Sequence, residues 1–167
     1  MQPDLTLVNR VANSGLLTLN LEDFKDTRAV VELDIKDYLH MGLLLKEKDF
    51  RAWVQSHDWA QYTDQNVAVF CSTDAIVPSW AYLLVGSKLA PHAHYFTFGT
   101  RKELELRLYF LNLNQHDWAQ YADAKVVLKG CGGVPEEVYV EATRLLMPHV
   151  QKLMFGEPCS TVPVYKR

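Results

Sequence analysis

The chain is poor in the residues that staple small secreted folds: it has three cysteines in 167 residues and no close CxxC pair. An odd, scattered set cannot close into a disulfide framework, so reduced thiols in a cytoplasmic protein are the expectation. No apolar run approaches the roughly 20 residues needed to cross a bilayer. The amino-terminal MQPDLTLVNR lacks the basic start and apolar core of an export signal, and no membrane partner is expected. A basic excess is missing too. Lys and Arg number 17 against 20 Asp and Glu, a formal charge of −3, and the basic residues are scattered. No face can neutralise a run of phosphates, which excludes nucleic acid as an expected partner. What is present is ordinary for a packed protein: 49% hydrophobic and 22% charged residues, with 7 prolines. One domain spanning 1–167, large enough to bury a core without staples, is expected.

The sequence repeats itself. The hexapeptide HDWAQY occurs at His57 to Tyr62 and at His116 to Tyr121, an offset of 59 (116 − 57). Each copy leads into a β-branched run that ends in cysteine, Val67 to Cys71 and Val126 to Cys131. After each cysteine come a proline, a helical stretch, Pro-His and a short apolar run closing on Phe-Gly. Pro78 to Pro91 and Pro135 to Pro148 are both 13 residues; Pro91 to Phe98 and Pro148 to Phe155 are both 7. Residues 78–99 and 135–156 align without gaps and match at 7 of 22 positions.

Pro78 and Pro135 suit a first helical turn, and Pro91 and Pro148 stop the helix. Val138, Ala142, Leu145, Leu146 and His149 form the stripe of a helix packed on a sheet. Strand, helix and strand make a parallel βαβ unit, and residues 57–99 and 116–156 predict two of them in one parallel sheet, an α/β fold. A helix from Lys102 to about Asn112 joins the units. The N-terminal extension reads as strands at Leu16 to Leu21, Val30 to Ile35 and Gly42 to Lys46 and a short helix at Asp49 to Gln55, extending the sheet or covering an edge. The HDWAQY aromatics, set just before strands, are expected to wedge the base of the sheet, with Asp58 and Asp117 bonding local backbone. The charged run at Lys46 to Asp49, with Arg51, reads as a solvated helix start, with Arg51 facing an anionic ligand as the alternative.

In a parallel sheet ligands bind at the carboxyl ends of the strands. Cys71 and Cys131 end the first strand of each unit and Cys159 follows the last strand, so all three fall on that edge. Three readings follow. Cys71, Cys131 and Cys159, completed by Asp74 or Glu157, could ligate zinc or iron, although spacings of 60 (131 − 71) and 28 (159 − 131) match no local metal fingerprint. Ser72, Thr73, Gly132, Gly133, Ser160 and Thr161 could instead hold a small anionic ligand, as in an enzyme or a binding domain. The third reading is a structural or interaction protein, each cysteine a small buried hydrophobe. Cys131, four residues before Pro135, is the best-placed nucleophile. His57, His92, His116 and His149 all precede strands and so belong to the opposite edge, which disfavours Cys–His catalysis.

The runs SGLLTLNLEDF, DIKDYLHMGLLLKEKDFRAW, CSTDAIVPSWAYLL and GEPCSTVPVYKR resemble an uncharacterised bacterial family, domain of unknown function 2480, from about Ser14 onward. The resemblance brings no catalytic residue. It suggests an association with iron–sulfur assembly, which would make this a metal-handling accessory protein with other metal-handling proteins as partners.

Overall fold

Across residues 15–130 and 132–167, which a computed structural model describes, β-branched runs become strands and proline-bounded runs become helices. The elements are β1 (Leu16–Leu19), β2 (Val30–Asp34), α1 (Glu47–Ser56), β3 (Asn66–Phe70), α2 (Ser79–Leu89), β4 (Tyr95–Phe98), α3 (Arg101–Gln115), β5 (Lys125–Leu128), α4 (Glu136–Leu146), β6 (Lys152–Glu157) and β7 (Ser160–Lys166). Pro78 and Pro135 sit immediately before α2 and α4, and Pro91 and Pro148 follow their last turns. The start of α3 is set by a reciprocal cap: the Thr100 amide donates to the Glu103 carboxylate at 2.7 Å, and the Glu103 amide donates to Thr100 Oγ1 at 3.4 Å. That helix runs three residues beyond the expected Asn112.

The chain forms two compact units. Residues 26–108 make one, and the described residues of 1–25 and 109–167 make the other, so the first interrupts the second in sequence. The 26–108 unit has a three-stranded sheet in the order β2-β3-β4, all parallel. The other has the order β1-β5-β6-β7, parallel except that β7 runs antiparallel to β6. Both strand–helix–strand pairings are thus parallel, as expected, but they do not share a sheet. Each draws in its own upstream strand: β2 pairs with β3 and β1 with β5. Each first strand of a pairing thereby becomes central, and four parallel strands in one sheet do not form.

Burial explains the composition of the central strands. In β3, Val67 and Val69 pack with Ala81, Val85 and Leu89 of α2. Ala68 points to the other face, against Leu104 and Leu108. A strand covered on both faces has no polar side, hence the apolar run Val67 to Phe70, while the buried Asn66 at its start donates to Asp26 at 3.1 Å. In the other unit Val126, Val127 and Leu128 are buried, as are Val138, Ala142 and Leu146 of the expected α4 stripe.

Two expectations for the N-terminal and C-terminal stretches are corrected. Gly42 to Lys46 is not a strand: Met41 and Gly42 both have left-handed backbone, φ 55° and 71°, which folds the chain into a tight turn bridged from His40 to Leu44. The run after Cys159 is a strand. Pro163 of β7 falls at an irregularity in its register with β6, on the sheet edge where a missing N–H is tolerated.

Each HDWAQY segment is a 3-10 turn leading to a central strand. Asp58 accepts from the Ala60 amide at 3.1 Å and Asp117 from the Ala119 amide at 3.0 Å. The indoles of Trp59 and Trp118 are buried. They donate to the Val54 carbonyl at 2.8 Å and the Leu113 carbonyl at 2.7 Å. His57 lies 2.9 Å from the Tyr62 hydroxyl and His116 lies 3.3 Å from that of Tyr121. Burial holds the His57 imidazole below its ordinary pKa and pushes the Tyr62 hydroxyl up to about 12. Both segments thus pack an indole and a tyrosine at the base of a central strand.

Candidate functional site

The carboxyl edge of the 26–108 sheet is assembled around Asp34, the last residue of β2. Its Oδ1 accepts from the Lys36 amide at 3.0 Å and from the Ser72 amide at 3.1 Å, tying the end of β2 to the exit of β3. Lys36 Nζ lies 3.4 Å from Oδ2. Burial alone would raise this carboxyl, but the hydrogen bonds from Ser72 and Lys36 outweigh it and hold the pKa below the ordinary carboxylate value. A carboxylate depressed in the folded state contributes stability above its unfolded pKa, about 4, which is lost as pH falls through the lower folded value. Wild type should therefore lose more stability between pH 6 and pH 3 than Asp34→Asn, which should be about 1 kcal/mol less stable at neutral pH. Urea midpoints at the two pH values check this, and equal acid losses would remove Asp34 from its tethering role.

Next along the chain, Cys71 is half-buried against the core. Its Sγ lies 3.4 Å from Thr73 Oγ1 and 3.7 Å from the Thr73 carbonyl oxygen. Ser72 and Asp74 are exposed and Thr73 is half-buried. Tyr82 of α2 stands over this loop, and its hydroxyl is pushed above its ordinary pKa by burial and by the neighbouring Cys71 and Asp34. The Tyr82 ring meets Phe98 edge to face at 5.1 Å. Beside that pair a cavity of about 170 Å³ is floored by Val69 and walled by Tyr82, Leu83 and Gly86 of α2 and by Phe96, Thr97 and Phe98 of β4. Leu83 is 73% exposed and Phe98 62%, so the cavity opens to solvent through an apolar mouth. Sequence reading missed it, because its lining comes from α2 and β4, each unremarkable alone. Gly86 inside an apolar helix was the available signal.

The remaining expected site residues belong to the other unit. Glu157, Cys159 and Ser160 are exposed at the β6–β7 turn, with Thr161 half-buried. Gly132 has φ +102°, and a Cβ on it would overlap the Glu22 carboxylate. A negatively charged ligand at Gly132 and Gly133 would meet that carboxylate. Cys131 lies outside the described residues. Cys71 and Cys131 are not equivalent positions: the pairings Leu33 with Val69 and Leu19 with Leu128 set Cys71 opposite Gly130 in the two registers, one residue early. Gly130 carries no side chain because the Phe155 ring takes the space, 2.7 Å from where a Cβ would be. Among the described residues no three His, Cys, Asp or Glu side chains come together as a metal site, and no helix is long and apolar enough to cross a membrane.

A family model matches residues 5–167, and the chain belongs to that family, described as protein of unknown function (DUF2480). No curated protein and no solved structure matches the chain.

Proposed function

We propose that this member of the DUF2480 family is a binding module and not an enzyme, and that its recognition pocket is the apolar cavity between α2 and β4. Apart from β7, the two sheets are built from the same succession of a strand, a 3-10 turn, an HDWAQY turn, a strand, a helix and a strand, which supports reading the chain as one unit duplicated, with one copy inserted in the sequence of the other. The cavity is the observation that carries the functional reading. A volume of about 170 Å³ is of the order that accepts a single benzene-sized group and is below that of a whole cofactor site. The pocket suits one apolar side chain or ring, held at the rim by Tyr82, with the Cys71 loop and Asp34 beside it. Nothing around it pairs a nucleophile with a base. The alternative of zinc or iron on Cys71, Cys131 and Cys159, with Asp74 or Glu157, has only the strand-end positions of its cysteines in support. An anion held by Ser72 and its neighbours competes with Asp34 for the Ser72 amide.

Gly86 makes the room. At the matching place in α4, 57 residues on, stands Thr143 (86 + 57), whose hydroxyl bonds the Tyr139 carbonyl at 2.8 Å. A Cβ on Gly86 would lie 3.2 Å from the Phe96 ring, close enough to narrow the cavity and far enough for the ring to give. Toluene is expected to shift the NMR signals of Leu83, Thr97 and Phe98. Gly86→Thr, folded by the same spectra, should weaken that binding at least tenfold. Toluene that leaves these signals unmoved would refute the pocket.

A further inference from the structure

We propose that the partner is an extended segment of another polypeptide, which adds to the open edge of β4 as an antiparallel strand, sets an apolar side chain in the cavity and brings a basic residue to Asp64. This rests on the reading of the cavity as a recognition pocket and names what fills it.

Among the described residues β4 has one strand neighbour, β3. Its counterpart β6 has two, because β7 pairs along its far edge. In that pairing Val162 lies opposite Phe155 and Tyr165 opposite Leu153. Phe155 meets Tyr139 of α4 edge to face at 5.5 Å. Cross-strand partners share a face, so Val162 and Tyr165 project toward the side on which α4 packs. Phe98 and Phe96, 57 residues before Phe155 and Leu153, hold the same places on β4. There the cavity stands where β7 would bring its side chains. Strand addition with alternate side chains in pockets is an established way for a sheet edge to bind a peptide.

The far end of the groove has a charge to match. In the unit with β7, the Arg167 amide donates to the Gln151 carbonyl at 2.9 Å. Its guanidinium donates to Asp123 at 3.1 Å and to the Pro148 carbonyl at 3.3 Å. Asp64 is the counterpart of Asp123: both have left-handed backbone, φ 56° and 57°, and their amides bond the His92 and His149 carbonyls at 3.1 and 2.9 Å. The Asp64 side chain is 75% exposed. It shares Arg28 with Asp26 at 3.1 and 3.0 Å, and the His94 ring lies 3.9 Å from Asp64 and 3.8 Å from Asp26; the exposed carboxylate has room for a basic side chain placed as Arg167 is on Asp123.

The probe is a synthetic peptide STVPVYKR, the sequence of residues 160–167, titrated into the ¹⁵N-labelled full chain. Shifts and slowed exchange at the β4 amides, competition with toluene, and at least a tenfold loss with Asp64→Asn are expected. Asn keeps the left-handed backbone at that position, so the variant tests the charge alone. Toluene binding without any peptide effect on β4 would overturn this inference and leave the pocket standing. Failure of both probes would remove pocket and inference together. Peptide shifts confined to β6, or a chain that already dimerises through β4, would also overturn it, the latter by making a second copy the occupant.

Discussion

Trp59→Ala and Trp118→Ala are each expected to destabilise their unit by about 3 to 5 kcal/mol, the range for truncating a large buried aromatic. The cost has two sources. Each indole is buried against its own turn and neighbouring rings, Trp59 among Trp53, His57 and Tyr62, and Trp118 stacked on Phe24 at 5.8 Å. Each also donates to the last turn of the preceding helix, at the Val54 and Leu113 carbonyls, and its removal leaves a buried acceptor without its donor. The caps beside them are lesser terms: Asp58→Ala and Asp117→Ala should cost about 1 kcal/mol each. Urea unfolding followed by circular dichroism ranks the four variants. Tryptophan variants no worse than the cap variants would show that the indoles do not wedge the sheets.

Gly156→Ala should be the other severe substitution, on the order of 3 kcal/mol, through strain and not through lost packing. Gly156 lies in β6 just before the turn into β7, with φ +119°, a conformation that side chains rarely adopt. A Cβ there would also lie 2.7 Å from the Ser160 carbonyl oxygen, a backbone atom with no freedom to move aside. The variant therefore has to break the register in which Gly156 faces Thr161. Faster amide exchange along β7 while β1, β5 and α4 stay protected is the expected signature. An alanine variant with wild-type stability and an unchanged β7 would contradict the strain.

Much of the local structure was legible because its causes are local. Proline before α2 and α4 and after their last turns bounded both helices. The duplicated HDWAQY announced two turns with the same hydrogen bonds, since an aspartate cap and an indole reaching back five residues need no distant partner. The capping pair Thr100 and Glu103 is equally local, and it sets the first residue of α3 at Arg101. The misses were of a different kind. β7 was obscured by Pro163, which is compatible with a strand only on an edge, and the edge is a property of the sheet. Likewise the one-residue offset between Cys71 and Cys131 is invisible in the spacing of cysteines and appears only once strand register is known.

By itself, then, the sequence determined the helices and the strands of both βαβ pairings, that those pairings are parallel, and that the tryptophans stand just before the central strands, because these follow from backbone preferences and contacts within a few residues. Which strands share a sheet, that among the described residues β4 has one strand neighbour while β6 has two, and that Gly86 opens a cavity beside Phe96 and Phe98 were decided by tertiary structure. Each depends on a partner tens of residues away, chosen by which apolar faces can be buried together, and no local pattern in the chain records that choice.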